Sequence, residues 1–192
     1  MKVIGIVGLP GSGKSEAAAV AEELGIPVVT MGDVIRQECR DRGLDPAEHH
    51  GEIASALREE NGLDAIAQRS LPIIEDELEA SDTVLVDGIR AGVEAQRFEE
   101  AFGDAFTLVS IEAPFELRAE RIEARGRDNT DAEALRERDE REIGFGMDEA
   151  IANADVRIDN TASLEAFRTK VRALLEDGPE ALERTQTAEG EL

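Results

Sequence analysis

The sequence has little that would support a disulfide framework or a membrane span. Cys39 is the only cysteine among 192 residues, so no internal disulfide can form, and a small core filler is its simplest interpretation. No run of about 18 apolar residues occurs, and the chain opens on a short apolar stretch without a leader pattern. We therefore expect a soluble, cytoplasmic protein that binds no membrane.

Positive charge is also scarce. The chain carries 44 acidic and 21 basic residues, a formal net charge of −23, and its lysines are Lys2, Lys14 and Lys170. Such a surface repels phosphate backbones, which argues against a general nucleic-acid partner. The same composition is typical of proteins that work in molar salt, where the Debye length is about 3 Å and neighbouring carboxylates repel weakly. The acidity therefore indicates a high-salt habitat and not a particular binding partner. Any site that binds an anion must be locally basic.

Five short β-type runs recur along the chain with helical patterns between them. Near-continuous apolar strands that alternate with helices predict a parallel sheet covered on both faces, with ligands at the carboxyl ends of the strands. An acidic disordered chain is excluded by the same recurrence. The runs are residues 2–7, 27–30, 83–86, 106–111 and 155–159.

The length of the chain and the absence of a Pro/Gly/Ser-rich linker predict one domain, over residues 1–176. Gly25 is placed to end the first helix, and Asp33 to cap a helix that begins at Val34. Ser163 is placed to cap the last helix. Residues 177–192 are polar and aperiodic, so we expect a flexible acidic tail there.

A complete phosphate-loop pattern, G-x-x-x-x-G-K-S, follows the first apolar run directly. Glycines allow backbone N–H groups to converge on phosphates, the lysine adds a charge and the serine hydroxyl is a ligand for Mg²⁺. The helix that follows adds the positive end of its dipole. A glycine turn without a ligand is disfavoured by this strand–loop–helix context. The residues are Gly8, Leu9, Pro10, Gly11, Ser12, Gly13, Lys14 and Ser15.

Two further strands end in polar residues that could serve the same site. Residues 30–36 read TMGDVIR, in which Arg36 is placed to grip a phosphate and Asp33 is placed near an acceptor. Residues 87–90 read DGIR, which puts Asp87 beside the Mg²⁺ position of Ser15 and Arg90 just above it. An N-cap role for Asp33 and surface roles for the two arginines are the alternatives.

An arginine-rich stretch lies between the fourth and fifth strands. Arg121 and Arg125 are four residues apart and share a helix face, and further arginines follow at 127, 138 and 141. A hinged excursion at this point would close over a triphosphate. Ion pairs with the many neighbouring acids are the alternative. His49 and His50, in a polar segment, lack partners at metal-ligand spacing.

These motifs together resemble the P-loop nucleoside monophosphate kinases typified by adenylate kinase. Residues 8–15 are similar to their G-x-P-G-S-G-K-S/T, residues 30–36 to T-G-D-x-x-R and residues 87–90 to D-G-F-P-R. Residues 121–125 resemble R-x-x-x-R, and residues 126–138 resemble the G-R-x-D-D-N…R of short-lid UMP/CMP kinases.

The resemblance implies a three-layer α/β P-loop NTPase fold with a five-stranded parallel sheet in the order 2-3-1-4-5. It implies acceptor-binding helices at about 31–70 and a short lid at about 126–138. ATP and Mg²⁺ would be the cofactors. The implied acceptor-binding residues are Thr30, Asp33, Arg36 and Arg90, and the implied residues around the transferring group are Lys14, Asp87, Arg121, Arg127 and Arg138.

Two departures leave the acceptor open. The proline of D-G-F-P-R is missing, and Gln96 lies six residues after Arg90, where the family's base-reading glutamine lies four after. Residues 154–160, ADVRIDN, resemble the A-D-x-x-I-x-N of dephospho-CoA kinases, in which the asparagine, here Asn160, lies by the ATP base. The chain also resembles an archaeal family of P-loop proteins related to both enzymes, which by itself names no substrate.

We therefore expect a kinase that moves the ATP γ-phosphoryl group to a nucleoside monophosphate. Transfer to a sugar hydroxyl, with Asp33 as the base, is the alternative. A hydrolysing switch is disfavoured because Gly88, and not a glutamate, follows Asp87. A GTPase is disfavoured because the chain has no N-K-x-D motif. A dinucleotide-dependent dehydrogenase is disfavoured because the glycines are in the wrong order for G-x-G-x-x-G. Neither the acceptor nor the oligomeric state follows from the sequence.

Overall fold

Short strands rich in Val, Ile and Leu form one parallel sheet. A computed structural model describes residues 1–125 and 132–182. The sheet order is β2-β3-β1-β4-β5, and every pairing is parallel, as predicted. The strands are β1 (Lys2–Val7), β2 (Val28–Thr30), β3 (Thr83–Asp87), β4 (Phe106–Glu112) and β5 (Val156–Asp159).

Helices fill the connections between the strands. In the described residues they are α1 (Lys14–Glu23), α2 (Met31–Asp41), α3 (Pro46–Asn61), α4 (Ala65–Leu78), α5 (Gly92–Phe102), α6 (Phe115–Arg125), α7 (Ala132–Gly144), α8 (Met147–Ala152) and α9 (Leu164–Asp177), with a 3₁₀ turn at Gly103–Ala105. Within this part of the chain, no helix has the length and apolar character needed to cross a membrane.

The sheet buries both of its faces, which gives the predicted three layers. Along β1, Val3 and Val7 belong to one apolar cluster and Ile4 and Ile6 to the other, because successive strand side chains point to opposite faces. The first cluster includes residues from α2–α5 and α8, and Cys39 is fully buried in it, as a filler would be. The second cluster includes residues from α1 and α9.

The structure tests three of the predicted helix ends. Gly25, with a φ of 71°, follows α1, and the Ser163 side chain caps α9 by accepting from Ala166 N–H, both as predicted. The predicted cap at Asp33 is wrong. Strand β2 runs straight into α2, so Thr30 holds the N-cap position and Asp33 lies inside the first turn.

The expected start of the tail is also too early. Residues Glu180 to Leu182 are helical, and Ala181 and Leu182 are buried, with Leu182 in the second apolar cluster. Residues 183–192 lie outside the described residues.

Parallel register brings the predicted loops to one edge of the sheet. Asp87, the last residue of β3, pairs with Ile6 of β1 on one side and with Thr30 of β2 on the other. The phosphate loop, the β2–α2 junction and the β3–α5 loop therefore emerge side by side. This edge is where open α/β sheets bind ligands.

Candidate functional site

The loop between β1 and α1 contains glycines whose backbone conformation other residues rarely adopt, Gly11 and Gly13 among them. Gly11 has a φ of 80° and Gly13 a φ of 125°, both outside the range that L side chains commonly adopt. A Cβ at Gly13 would lie 2.5 Å from Asn160 Nδ2, and one at Gly11 would lie 2.9 Å from the Arg118 carbonyl oxygen. The loop is thus packed closely against β5 and α6.

Asn160 and Arg121 support this loop. Asn160 is buried, and its Nδ2 donates to the Ser12 carbonyl oxygen at 2.7 Å. Arg121 Nη2 donates to the Asn160 carbonyl oxygen at 2.7 Å. Both side chains thus hold the loop from its protein side, and neither lines the cavity described below.

Lys14 and Asp87 form the charged centre of the site. Lys14 Nζ donates to the Gly8 carbonyl oxygen, with the Leu9 carbonyl oxygen at 3.5 Å. Burial lowers the pKa of Lys14, opposed by the negative charges of Asp87 and Glu142. Burial likewise raises the pKa of Asp87, opposed by the charge of Lys14. The charge of each group therefore offsets part of the cost that burial imposes on the charge of the other.

Asp87 and Ser15 fit a Mg²⁺ ion bound together with a triphosphate. Asp87 Oδ1 is buried and, among the described residues, has no hydrogen-bond partner. An oxygen of this kind suits Mg²⁺, which takes one or two protein ligands and completes its shell with phosphate oxygens and water. Consistently, no cluster of three or more His, Cys, Asp or Glu side chains that could hold a metal by itself exists within residues 1–125 and 132–182.

One cavity of about 430 Å³ joins the phosphate loop to the edge of α2. We call its phosphate-loop side, lined by Gly8, Pro10, Gly11, Gly13, Lys14 and Ser15, the donor half. The remaining lining, which we call the acceptor half, includes Thr30, Met31, Gly32, Ile35, Arg36, His50, Arg58, Ile66, Ile89, Arg90, Glu94, Arg138, Glu142 and Met147. Asp87 lies in the lining between the two halves in the sheet register.

Three arginines of the acceptor half are ion-paired. Arg36 Nη2 lies 2.6 Å from Asp33 Oδ1, and that aspartate is 65% exposed and outside the cavity lining. Arg58 Nη2 lies 3.0 Å from Glu94 Oε1. Arg90 Nη1 lies 2.7 Å from Glu142 Oε1.

Glu94 and His50 complete the polar lining. Glu94 is fully buried, and its second oxygen accepts from the Arg90 backbone N–H at 2.8 Å, so both of its oxygens are used. The pKa of His50 is lowered, first by burial and then by the charges of Arg36 and Arg90. A neutral imidazole therefore lies beside two cations at neutral pH.

A buried ion pair ties helix α7 to the phosphate loop. Arg118 Nη2 and Asp139 Oδ2 are 2.6 Å apart, and Nη1 donates both to Asp139 Oδ1 and to the Pro10 carbonyl oxygen at 2.9 Å. Arg118 Nε donates to the Ala113 carbonyl oxygen at 3.1 Å. Helix α7 is thereby held where Arg138 and Glu142 reach the cavity.

The structure brings most of the predicted site residues together. Those that line this cavity are Gly8, Pro10, Gly11, Gly13, Lys14, Ser15, Thr30, Arg36, Asp87, Arg90 and Arg138. Ser12 is buried beneath the loop, and Asp33, Arg121 and Asn160 lie outside the lining. Arg127 and the first part of the predicted lid, residues 126–131, lie outside the described residues. The rest of that segment is the start of α7.

Sequence reasoning missed Glu94, Arg118 and Glu142, and gave His50 no specific role. Arg118 had one available signal, because it precedes Arg121 by three residues and shares its helix face. Glu94 and Glu142 had none, since each stands among other glutamates on a charged helix. Only the tertiary packing distinguishes them.

Replacing Asp87 with Asn tests the charged centre. Because burial raises the pKa of Asp87, its ionised form lowers the free energy of unfolding at neutral pH, and this cost fades as pH falls through the folded pKa. Asp87→Asn should therefore unfold at higher urea concentration at neutral pH, with the difference shrinking on acidification. It should also bind Mg·ATP roughly ten- to a hundredfold more weakly in calorimetry. Asp82→Asn, at an exposed position before β3, is the control, and unchanged Mg·ATP affinity in Asp87→Asn would contradict the assignment.

Replacing Asp139 with Ala tests the tie between α7 and the loop. The change leaves the Arg118 guanidinium buried without its carboxylate, so the free energy of unfolding should fall by about 3–5 kcal/mol. Urea unfolding measures this, with Glu140→Ala, an exposed neighbour on α7, as the control. Equal losses in the two variants would show that the pair does not hold the helix.

Comparisons of the sequence identify relatives over almost the whole chain. The family model described as an AAA domain matches residues 7–136. A UPF0200 protein of Halobacterium salinarum is 66% identical over 176 residues, which cover 91% of this chain and 93% of that protein. A UPF0200/UPF0201 protein of Archaeoglobus fulgidus is 50% identical over 178 residues, 91% of this chain and 55% of that protein.

Solved structures share the fold at low sequence identity. TT1252 of Thermus thermophilus matches with a TM-score of 0.62 and 22% identity over 92% of this chain and 97% of that one. A gluconokinase of Sinorhizobium meliloti matches with a TM-score of 0.56 and 20% identity over 96% and 97%. A shikimate kinase of Bacteroides thetaiotaomicron gives 0.55 and 14% over 91% and 98%. The predicted P-loop kinase-like fold is confirmed, and the chain belongs to the UPF0200 family and carries its AAA domain.

Proposed function

We propose that this protein is an ATP-dependent kinase that moves the γ-phosphoryl group of Mg·ATP onto a small acceptor. The observation that carries the proposal is the continuity of the cavity. The phosphate loop opens into a second, polar compartment lined by α2, α3, α5 and α7, with Asp87 and Lys14 at the junction.

The donor half supplies position and charge. Phosphoryl transfer proceeds through a loose transition state with negative charge on the peripheral oxygens, so fixed cations provide most of the catalysis. Lys14 would hold the phosphates once it leaves the Gly8 carbonyl oxygen, and Ser15 and Asp87 would hold Mg²⁺. The ion, when bound, neutralises the charge that develops between the β- and γ-phosphates. Arg138 of α7, which lines the acceptor half of the same cavity, adds a further cation.

A nucleoside monophosphate is one candidate acceptor. Arg36 and Arg90, which the resemblance to the nucleoside monophosphate kinases assigns to the acceptor phosphate, both line the acceptor half together with Thr30. Binding a phosphate there would require each arginine to exchange its carboxylate partner for the ligand. The Arg36–Asp33 pair is partly exposed, so its exchange costs little, whereas release of Arg90 would leave Glu142, which is 16% exposed, without a partner.

A hydroxyl compound is the second candidate, and Glu142 favours it. Its Oε1 is held by Arg90 Nη1, and its Oε2 is buried without a hydrogen-bond partner in the described part of the chain. An ionised carboxylate can only accept hydrogen bonds. A ligand hydroxyl would supply the missing donor, and a phosphate dianion would not.

We further propose that the protein works in the cytoplasm and needs neither nucleic acid nor a membrane for this reaction.

An acceptor panel tests the proposal. AMP, CMP, UMP, GMP, dephospho-CoA, shikimate and gluconate are each incubated with the protein and Mg·ATP in concentrated KCl and followed by ³¹P NMR. We expect at least one phosphorylated product, which is absent with Lys14→Ala. Inorganic phosphate as the only new signal across the panel would argue for a hydrolysing switch.

A further inference from the structure

The acceptor half holds a carboxylate that the sequence did not single out and that no structural contact fully satisfies. Glu142 is 16% exposed, and Arg90 binds one of its oxygens at 2.7 Å. Its other oxygen, Oε2, is buried and has no hydrogen-bond partner among the described residues. A buried oxygen that lacks a donor costs free energy, so its retention needs a reason such as a ligand that supplies the donor.

The other carboxylates near the acceptor are already committed. Both oxygens of Glu94 accept hydrogen bonds, one from Arg58 and one from the Arg90 backbone. Asp33 is mostly exposed, pairs with Arg36 and lies outside the lining, so it is poorly placed to act as the base. Asp87, at the end of β3, is reserved by its position for Mg²⁺. Glu142 is therefore the carboxylate of the acceptor half with an available oxygen.

Glu142 also belongs to the reaction centre and not to the rim. It shares the cavity lining with Lys14 and Arg90, and its negative charge acts directly on Lys14. The buried Arg118–Asp139 pair, one turn earlier on α7, fixes the helix that carries it. The side chain is thus held in the acceptor half, and its charge reaches Lys14 of the donor half.

The charges of the lining favour an acceptor that brings no phosphate of its own. The described lining carries five cationic side chains, Lys14, Arg36, Arg58, Arg90 and Arg138, and three carboxylates, Asp87, Glu94 and Glu142. Arg36 is already paired with Asp33, Arg58 with Glu94 and Arg90 with Glu142. A phosphate dianion bound beside Arg90 would bring its oxygens up to the carboxylate of Glu142.

We propose that the acceptor is a small hydroxyl compound, such as a sugar, polyol or hydroxy acid, and that Glu142 is the general base that receives its proton. This inference rests on the proposed kinase function and narrows it. The acceptor oxygen forms a bond to the γ-phosphorus while the bond from that phosphorus to the β–γ bridging oxygen breaks, and ADP keeps that electron pair. The hydroxyl proton moves to Glu142 Oε2 and then to solvent, so the products are a phosphate monoester, ADP and a proton.

Glu142→Gln tests the role of the carboxylate. Glutamine keeps the size and an oxygen for Arg90 but cannot take the proton. We expect transfer to a hydroxyl acceptor to fall roughly a hundredfold or more, the usual contribution of a general base, with Mg·ATP affinity unchanged within about twofold. Glu140→Gln, an exposed change on the same helix, should keep wild-type turnover.

The outcomes separate the two proposals. A monoester product that Glu142→Gln suppresses while Mg·ATP still binds supports the role of Glu142. A phosphoanhydride product from a nucleoside monophosphate overturns this inference and leaves the kinase function standing, as does monoester formation by Glu142→Gln within about twofold of wild type. Inorganic phosphate as the only product of the wild-type protein, or no turnover at all, overturns the kinase function itself.

Discussion

The site depends on one constraint, the parallel register that ends β1 and β3 side by side. This register puts Lys14, at the start of the helix after β1, close to Asp87, at the end of β3. Burial disfavours the charge on each, and the opposite charge of the other compensates in part. A buried cation and a buried carboxylate that are only partly compensated are suited to bind ligands of opposite charge. Lys14 would bind phosphate, and Asp87 would bind Mg²⁺. The glycine backbone of the loop, Asn160 and Arg118 all serve to hold this arrangement.

The sequence predicted the fold because its signals are local. Apolar runs and the phosphate loop need only a few neighbouring residues to be recognised, and the strand bounds agree with them to within a residue or two. The order 2-3-1-4-5 is implied by the resemblance to the nucleoside monophosphate kinases, and the structure confirms it. The wrong prediction at Asp33 also comes from a local signal. Aspartate has a good capping side chain, which predicts a helix start there, but β2 passes into α2 without a loop and Thr30 takes the N-cap position.

The acceptor half was beyond local reasoning because its polar contacts join distant parts of the chain. Arg58 pairs with Glu94, Arg90 with Glu142 and Arg118 with Asp139, across three different pairs of helices or loops. In a chain with 44 acidic residues, composition gives no sign of which glutamate becomes buried. The arginines could be predicted as a group, but their partners could not, and the partners decide what the cavity can accept.

The proposed kinase reaction requires both halves of the cavity to be occupied at once, so that ATP loses its phosphoryl group to a bound acceptor. The direct measurement is the ratio of phosphorylated acceptor to ADP formed in the same reaction, with the acceptor in excess and ³¹P NMR counting both. We expect one phosphorylated acceptor for each ADP. ADP matched by inorganic phosphate alone, whatever acceptor is supplied, would contradict it.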